Sequence, residues 1–249
     1  MRVSFVIPAY NEESYISACL ESILRQTRNT DIACEIVVVN NASTDRTREI
    51  AETFEGVTVV DEPRKGITYA RQAGVDASTG TLIANVDADS RLPEGWLRQM
   101  VQQFDRDSKL LAVSGPLHYY DLTATRRFLV AAFYRLAWLT YLLNRYVLQV
   151  GSMVQGGNFV VTRRALEEIG GFNVAISFYG EDTDLARRLS KIGDVRFVLR
   201  LQMLSSARRL NKEGLLTTAV RYSINYFWTT FRERPFSTEH VDIREQLDG

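Results

Sequence analysis

Two carboxylates separated by one alanine, Asp87 and Asp89, are the residues of this chain whose spacing most directly suggests chemistry. They follow the apolar run 81–86, which predicts a buried strand that ends in a loop. Two carboxylates at the carboxyl end of a strand can share a hard divalent cation and the diphosphate that this cation neutralises. Acidic loops are more often simply solvated, so the triplet indicates a metal site only together with other motifs.

The elements that must position these residues alternate regularly in the first half of the chain. Four short apolar runs predict strands, at Val3–Ile7, Ile36–Val39, Val57–Asp61 and Leu82–Val86. Amphipathic stretches between them predict helices, at residues 15–26, 43–54 and 67–77. This order predicts a largely parallel sheet with helices on both faces, in which ligands bind at the carboxyl ends of the strands. Three polar segments fall at such ends, namely Pro8-Ala9-Tyr10, Asn40-Asn41 and Asp87-Ala88-Asp89.

The composition is that of an ordinary globular protein, with 249 residues of which 45% are hydrophobic and 24% charged. The 30 basic and 30 acidic residues cancel, so no overall charge favours nucleic acid as a partner. Neither G-x-G-x-x-G after the first strand nor G-x-x-x-x-G-K-[ST] occurs, which disfavours a dinucleotide oxidoreductase and a P-loop NTPase. Cys19 and Cys34 lack metal-ligand spacing, and we expect two buried free thiols in a reducing compartment.

Charge is distributed unevenly along the second half of the chain. No Asp or Glu occurs from Leu122 to Leu166, whereas six arginines do. A helix that is apolar nearly all round, with only cationic interruptions, is either buried or lies on a membrane that contains anionic lipids. The segment 215–231 is similar, so membrane contact, core packing and dimerisation all stay open. With no predicted signal peptide or transmembrane helix, we expect a cytoplasmic protein, at the inner face of the membrane if it contacts one.

Six segments, in this order, resemble the motifs of the family 2 glycosyltransferases, inverting enzymes of the A-type glycosyltransferase fold. They are Val6–Glu12, similar to the first strand and donor-binding turn; Val38–Asp45, similar to V-D-D-G-S-x-D; Ala70–Gly74, similar to A-R-N-x-G; the D-x-D triplet; the glycine pairs 156–157 and 170–171; and Gly180–Leu185, similar to E-D-x-[DE]-L. Each is weak alone, but six in order are a strong match. The resemblance implies a single α/β domain over residues 1–249, whose mostly parallel, Rossmann-like sheet is flanked by helices.

The resemblance also implies roles for individual residues. Asp89 would be the direct ligand of Mg²⁺ or Mn²⁺, with Asp87 facing the ribose or supporting the metal. The residues implied to contact a nucleotide-diphosphate sugar are Pro8, Ala9, Tyr10, Glu12, Asn40, Arg71, Asp87, Ala88 and Arg208. Those implied to contact the acceptor are Gly156, Gly157 and Asn158. Arginine suits phosphate because its fork donates two hydrogen bonds in fixed geometry; for Arg208 and Arg209, a solvated basic loop is nearly as good an explanation.

Asp182 is the predicted general base, with Glu181 as the alternative. It would lie near the amino-terminal end of a helix predicted over Thr183–Lys191, which favours a carboxylate. A base there could reach the acceptor hydroxyl while the metal holds the diphosphate, which permits a single displacement with inversion. Capping of the helix is the purely structural alternative. Asp184 is expected to pair with Arg188, four residues later.

The second motif departs from the family pattern, since Asn40 and Asn41 replace the usual paired aspartates. The first aspartate normally accepts a hydrogen bond from the nucleotide base. Asparagine can accept through its carbonyl and can also donate, so the choice between uracil and guanine stays open. The Q-x-x-R-W motif of processive members is absent, which favours the addition of one sugar over polymerisation.

These features predict an inverting, metal-dependent glycosyltransferase that moves one sugar from a UDP- or GDP-linked donor to an acceptor hydroxyl or phosphate, soluble or lipid-linked, in glycan or cell-envelope polysaccharide synthesis. We expect residues 1–113 to bind the nucleotide sugar, 114–212 to bind the acceptor, and 213–249 to form an amphipathic helix and tail. One alternative is a catalytically silent sugar-nucleotide-binding protein, suggested by Asn40-Asn41. The other is a sugar-1-phosphate nucleotidyltransferase, which would need a glycine-rich basic loop where this chain has Pro8–Glu12.

Overall fold

The first four strands pair in parallel, as the sequence predicts. The computed structural model describes residues 1–148, 152–176 and 180–232. Its first strands and helices are β1 (Arg2–Ala9), α1 (Ile16–Thr27), β2 (Ala33–Asn40), α2 (Thr47–Glu52), β3 (Val57–Asp61), α3 (Ile67–Asp76) and β4 (Leu82–Val86). β1 lies between β2 and β4, with Ile7 opposite Val38 and Val6 opposite Asn85. It is buried from Val3 to Ala9, so this strand forms the centre of the sheet's first half.

α2 begins later than the predicted residue 43 because segment 43–46 is a loop held by side chains. Asn11 Oδ1 accepts a hydrogen bond from the Thr44 backbone N–H at 2.8 Å. Asp45 Oδ1 accepts one from the Thr47 backbone N–H at 2.9 Å. Asp45 therefore satisfies a free N–H group at the start of the helix, and the loop is tied to the turn after β1.

The remaining elements extend and cover the sheet. The strands are β5 (Ser90–Arg91), β6 (Leu110–Ser114), β7 (Leu117–Tyr119), β8 (Asn158–Thr162), β9 (Asp194–Phe197) and β10 (Met203–Ser205). The helices are α4 (Trp96–Arg106), α5 (Ala124–Leu142, continued by a π-helical turn, Leu143–Leu148), α6 (Arg163–Glu168), α7 (Glu181–Ser190), α8 (Arg208–Glu213) and α9 (Leu215–Arg232).

The seven-stranded sheet has the order β3-β2-β1-β4-β8-β6-β9. β8 runs antiparallel to both of its neighbours, β4 and β6, whereas the other pairs are parallel. A smaller three-stranded sheet has the order β5-β10-β7. Because β5 directly follows Asp89, pairing of β10 with β5 brings the segment after Ser205 to the D-x-D loop.

Two hydrophobic cores lie on the two faces of the large sheet. Alternate residues of β1 separate between them: Phe5 and Ile7 pack on one face with α1 and α4, and Val6 packs on the other with α3 and α7. This alternation is the period of two expected for a strand buried on both sides. Cys19 is a buried free thiol, as predicted, but Cys34 is only half-buried.

The acid-free segment forms a surface helix. α5 buries a narrow stripe, Val130, Tyr134 and Tyr141. Its exposed large apolar side chains are Phe128, Leu129, Phe133, Leu136 and Leu139, followed by Leu143, Tyr146, Val147 and Leu148 in the π-helical turn. α9 exposes Leu216, Val220, Tyr222, Ile224 and Trp228. Within the described ranges no helix has the length and apolar character needed to cross a membrane. The predicted tail, residues 233–249, lies outside the described residues.

Candidate active site

The register of β4 and β8 places a glycine beside the D-x-D loop. Val86 lies opposite Asn158, so Gly157 lies next to Asp87. Gly157 has a φ of +75°, and a Cβ at this position would collide with the Asp87 carboxylate. Glycine meets both demands, since it adopts the left-handed conformation readily and has no side chain.

Asp87 and Asp89 lie on the side of their loop away from the core. The side chain of Asp87 is 38% exposed and that of Asp89 is 13% exposed. Ala88 packs into the core between them, so a side-chain contact from this residue to the donor is not available. The Cys19 thiol donates a weak hydrogen bond to the Asp87 carbonyl oxygen at 3.7 Å, which ties the loop to α1.

Arg71 connects the D-x-D loop to the acidic residues at the start of α7. Its buried guanidinium lies 2.5 Å from Glu181 (Nη1 to Oε1) and 3.4 Å from Asp87 (Nη2 to Oδ1). It also lies 5.3 Å from the centre of the Phe159 ring. α3 can hold Arg71 here because Gly74 lets the helix approach β1 closely, where a Cβ would collide with Val6. Direct contact of Arg71 with a donor stays a prediction.

Glu181 and Asp182 both lie in the first turn of α7, because this helix begins two residues earlier than predicted. Burial raises the pKa of Glu181 to about 7, with Arg71 opposing the shift and the negative charge of Asp182 adding to it. Burial also raises the pKa of Asp182. Asp182 is the more exposed of the two and is not bound by Arg71, so it is the better placed to remove a proton from an acceptor.

Two backbone N–H groups orient the Asp182 carboxylate. Its Oδ2 accepts from Gly156 at 3.2 Å, and its Oδ1 accepts from Thr183 at 2.8 Å. Gly156 therefore touches the predicted base, and Gly157 touches Asp87. Asp184 forms the predicted pair with Arg188, at 2.7 Å from Oδ2 to Nε, and serves the helix.

Arg208 reaches the site from the far end of the chain. Its Nε lies 2.9 Å from Asp89 Oδ2, and a second nitrogen pairs with Glu12. Burial lowers the pKa of this guanidinium, but the charges of Asp89 and Glu12 outweigh that effect and raise it. The Glu12 carboxylate is buried against Arg208, so it anchors the arginine instead of facing a donor as predicted.

Asp121 holds the start of α8, and with it Arg208. Its two oxygens accept hydrogen bonds from Ser206 Oγ at 2.8 Å and the Ala207 backbone N–H at 2.7 Å. Arg209 points elsewhere, since its Nη1 lies 2.7 Å from Glu213 on the same helix. Of the two candidate arginines, only Arg208 contacts the D-x-D loop in the described structure.

Asn40 presents a carbonyl oxygen at the end of β2. Its Nδ2 donates to Asp61 Oδ1 at 2.8 Å, and Arg48 binds the other oxygen of Asp61. This fixes the amide orientation, because a carboxylate can only accept. Asn40 Oδ1 is buried and has no hydrogen-bond partner in the described structure. Asn41 is structural, since its amide binds the backbone of the loop at residues 62–66.

The other predicted contacts differ in what they can offer a ligand. Pro8 and Ala9 are buried at the end of β1, and the Ala9 carbonyl accepts from the Asn41 N–H at 2.8 Å. Tyr10 is half-exposed, and Lys65 donates to its hydroxyl at 2.9 Å. Pro8 and Ala9 thus form part of the base of the candidate site. Tyr10 lies where a nucleotide base or ribose could contact its side chain.

Asn158 does not face the cleft as an acceptor-binding residue would. Its side chain is fully buried and its amide is occupied: Oδ1 accepts from Trp96 at 3.2 Å, and Nδ2 donates to the carbonyls of Pro116 and Leu201 at 3.2 and 2.8 Å. Its role is to join β8 to two neighbouring turns. This placement corrects the sequence-based assignment.

The carboxylates at the end of β4 fit a hard divalent cation that is shared with a ligand. Asp87 and Asp89 supply the oxygen atoms that Mg²⁺ and Mn²⁺ prefer. Among the described residues no group of three or more His, Cys, Asp and Glu side chains could hold an ion, so most ligands would be phosphate and water oxygens. Because Gly157 has no side chain, the Asp87 carboxylate can occupy the space next to it. A cation here would share Asp89 with Arg208.

Several residues that shape the site give little sign of it in the sequence. Asp121, Asp61 and Cys19 act only through contacts made after folding. Tyr15 is another, since the Arg208 guanidinium lies 4.7 Å from the centre of its ring. The one available clue is position: Asp61 ends a predicted parallel strand next to the strand of Asn40.

The profile described as Glycosyl transferase family 2 matches residues 4–170 of this chain, more than half of its length. The chain belongs to glycosyltransferase family 2. Relatives include EpsJ of Bacillus subtilis, 32% identical over 129 residues that cover 50% of this chain and 36% of EpsJ. AglE of Haloferax volcanii is 34% identical over 104 residues, 40% of this chain and 34% of AglE. The match thus spans only about a third of these relatives.

Solved structures of several glycosyl-transferring enzymes share the fold. Mannosyltransferase PcManGT from Pyrobaculum calidifontis, in complex with GDP-Man and Mn²⁺, has a TM-score of 0.67 at 22% identity, over 93% of this chain and 64% of that one. Glucosyl-3-phosphoglycerate synthase from Mycobacterium tuberculosis, with Mn²⁺, UDP and phosphoglyceric acid, has a TM-score of 0.62 at 21% identity, over 92% and 78%. At these identities the likeness confirms the predicted A-type glycosyltransferase fold.

Proposed function

We propose that this family 2 glycosyltransferase is an inverting, metal-dependent enzyme that transfers one sugar from a UDP- or GDP-linked donor to a hydroxyl of its acceptor. The observation that supports this best is that Asp87 of the D-x-D loop lies with Glu181 and Asp182 around the 156–157 glycines. Residues 1–113 would bind the nucleotide sugar and 114–212 the acceptor, with these carboxylates at their junction. The choice of donors is supported by neighbours solved with GDP-Man and with UDP.

The donor diphosphate would lie at the end of β4. A divalent cation held by Asp89 and supported by Asp87 supplies positive charge that stabilises the leaving diphosphate. Arg208 would add a second positive charge next to Asp89. The Asn40 carbonyl oxygen would accept a hydrogen bond from the ring N–H of uracil or guanine. Cytosine has no hydrogen on the corresponding ring nitrogen.

The acceptor would be activated by Asp182. The carboxylate takes the hydroxyl proton as the acceptor oxygen bonds to the anomeric carbon, and the bond from that carbon to the diphosphate oxygen breaks. A single displacement of this kind inverts the anomeric configuration. The carboxylates of Glu181 and Asp182 would repel an anionic nucleophile, which favours an acceptor hydroxyl over a phosphate oxygen.

A lipid-linked acceptor at a membrane surface is the second part of the proposal. It is supported by the exposed apolar side chains of α5 and α9 and by the absence of Asp and Glu from Leu122 to Leu166. Apolar side chains with cationic neighbours favour adsorption to membranes that contain anionic lipids. Placement in the cytoplasm stays a prediction.

The test is transfer with UDP- and GDP-sugars and a lipid extract as the source of acceptor. We expect release of nucleoside diphosphate that needs both lipid and Mn²⁺ or Mg²⁺, and a product with the anomeric configuration opposite to the donor's, determined by NMR. Retained configuration, or release that a chelator does not affect, would contradict the proposed mechanism. Donor binding without any release would favour the silent-binder alternative.

A further inference from the structure

A groove with a volume of about 150 Å³ lies between α5 and the small sheet. We call it the α5 groove. Its polar lining includes His118 and Tyr119 of β7 and Arg127, Tyr134 and Arg135 of α5. The α5 residues lie on one helix face, because they are spaced by seven and eight positions.

The α5 groove is cationic. Its lining contains no Asp or Glu. In the described part of the chain, Arg127 and Arg135 form no ion pair with a carboxylate. Asp121, which precedes the helix, has both oxygens engaged by Ser206 and Ala207. Two arginines that no carboxylate neutralises favour a phosphate group as the occupant.

The α5 groove adjoins the proposed catalytic residues. The hydroxyls of Tyr119 and Tyr134 are hydrogen-bonded, and Tyr134 also donates to Gln155 Oε1 at 2.9 Å. The residue after Gln155 is Gly156, whose N–H binds Asp182. Burial, with a smaller contribution from the charge of Asp182, raises the pKa of the Tyr134 hydroxyl. A molecule with a phosphate in the groove could therefore extend toward the proposed base.

The outer surface of the same helix is apolar. Phe128 is 67% exposed, Leu136 65% and Leu139 57%. They lie within one turn of Arg127 or Arg135, so a charged group and an apolar chain could bind side by side on α5. The occupant that matches both surfaces is an amphiphile with an anionic head.

We propose that the α5 groove binds the phosphate of a lipid-linked acceptor, whose apolar chain lies along the exposed face of α5. This rests on the proposed glycosyl transfer and adds the subsite that holds the acceptor. The phosphate is an anchor here: Arg127 and Arg135 bind it, and a sugar hydroxyl of the same molecule reaches Asp182.

Binding of farnesyl phosphate to the whole chain, below the critical micelle concentration, tests the proposal. Inorganic phosphate and farnesol are measured beside it, to separate the two halves of the ligand. The variants are Arg127→Ala and Arg135→Ala. Arg126→Ala is the matched control, since it removes the same charge from the same helix, but its guanidinium binds Asn211 Oδ1 at 3.1 Å and does not line the groove.

We expect farnesyl phosphate to bind at least tenfold more tightly than either half. Arg127→Ala and Arg135→Ala should each weaken it by about tenfold or more, as for a lost charge-assisted hydrogen bond, and Arg126→Ala by less than twofold. Equal losses in all three variants would show diffuse surface charge and overturn the proposal. Equal affinity of the wild type for farnesyl phosphate and inorganic phosphate would also overturn the proposal.

A second measurement separates this subsite from the proposed function. The Mn²⁺-dependent rise in melting temperature with UDP or GDP reports the donor site alone. If it is present while the groove variants bind farnesyl phosphate as the wild type does, the groove proposal is wrong and glycosyl transfer still stands. If it is missing from the wild type, the proposed function itself fails.

Discussion

Neighbouring carboxylates in this site differ in their surroundings more than in their chemistry. Glu181 is buried and bound by Arg71, whereas Asp182 is more open and is oriented by two backbone N–H groups. Asp87 is more exposed than Asp89, which is paired with Arg208. Burial and pairing therefore separate the residue that could accept a proton from those that hold the site together.

Asp182→Asn tests the assignment of the base. Because an amide cannot take a proton from the acceptor, we expect kcat to fall by about 100- to 10,000-fold. The N–H groups of Gly156 and Thr183 donate to separate oxygens of Asp182, so an asparagine keeps only one of these two hydrogen bonds. Because Asp182 is not part of the proposed donor site, the nucleotide-dependent rise in melting temperature should persist. Unchanged kcat in steady-state transfer assays would refute the assignment.

Glu181 predicts a pH dependence of stability in the metal-free protein. Its pKa is about 7 in the folded chain against an ordinary 4.5, so the folded state binds the proton more tightly. Stability from this group is present below pH 4.5 and is lost as the pH rises to about 7. Glu181→Gln should remove this part of the slope, measured by urea unfolding at several pH values between 4.5 and 8. An unchanged slope would contradict the raised pKa.

Asn40 predicts which bases the donor site accepts. UDP and GDP should bind more tightly than CDP, because only their bases present a ring N–H to the Asn40 carbonyl. Asn40→Ala should weaken UDP or GDP by roughly 2- to 12-fold, the range for one neutral hydrogen bond, and leave CDP unchanged. Asp61→Asn should reduce the discrimination in part, since an amide partner lets Asn40 rotate. If calorimetric titration showed that Asn40→Ala weakens the binding of CDP as much as that of UDP or GDP, this assignment would be wrong.

At the scale of elements, the site depends on strand register. The pairing of Val86 with Asn158 puts Gly157 against Asp87, and pairing of β10 with β5 brings Arg208 to Asp89. A slip of one residue that moved Asn158 to the place of Gly157 would put a side chain where the Asp87 carboxylate lies. The glycine at 157 is therefore a structural requirement of the site, not only of the turn.

Gly157→Ala and Gly170→Ala form a matched pair that tests this requirement. Both glycines have positive φ, +75° and +77°, but a Cβ at 170 meets nothing within 4 Å. Gly170→Ala should cost about 1 kcal/mol of unfolding free energy from backbone strain and keep nucleotide binding. Gly157→Ala should cost more and abolish the Mn²⁺-dependent binding of UDP or GDP, because it displaces Asp87. Equal behaviour in urea unfolding and nucleotide titration would disprove the close approach.

The first half of the fold could be predicted because its signals are local. The bounds of β3 and β4 agree with their predicted runs, Val57–Asp61 and Leu82–Val86. β4 is buried throughout, and a parallel strand buried on both faces is continuously apolar. The antiparallel placement of β8 and the small sheet could not be predicted, because the sequence of a short strand does not show which strand it pairs with. α2 was predicted to begin too early, because Asp45 lies in the loop before the helix and accepts a hydrogen bond from the Thr47 backbone N–H.

The candidate site could be predicted where chemistry coincides with a strand end or a family motif. Asp87 and Asp89 were predicted from the end of a strand and Asp182 from its motif at the start of a helix, and their roles stay predictions. Glu12 was misplaced, because its partner Arg208 is 196 residues away in sequence. Asn158 was misplaced because a motif position does not reveal whether a side chain points into the cleft or the core, and here it binds Trp96 and two carbonyls.

At the scale of the whole molecule, the charges balance in number but are distributed unevenly over the surface and the site. The carboxylates of the proposed donor and base positions are set against buried arginines, Arg71 and Arg208, at the carboxyl edge of the sheet. The acid-free helix α5 exposes arginines and apolar side chains on the proposed acceptor half. This arrangement fits an enzyme that takes a soluble anionic donor from one side and an amphiphilic acceptor from the other.

The most direct test of the account is the melting temperature of the chain with UDP, GDP or CDP, with and without Mn²⁺. At about 100 times the Kd, bound ligand should add about 2.7 kcal/mol and raise the melting temperature by roughly 5–10 °C. We expect this rise with UDP or GDP only when Mn²⁺ is present, its loss in Asp89→Ala, and its retention in Asp105→Ala, which removes an exposed carboxylate from α4. A rise that needs neither Mn²⁺ nor Asp89, or no rise with any nucleotide, would contradict the proposed metal-dependent donor site.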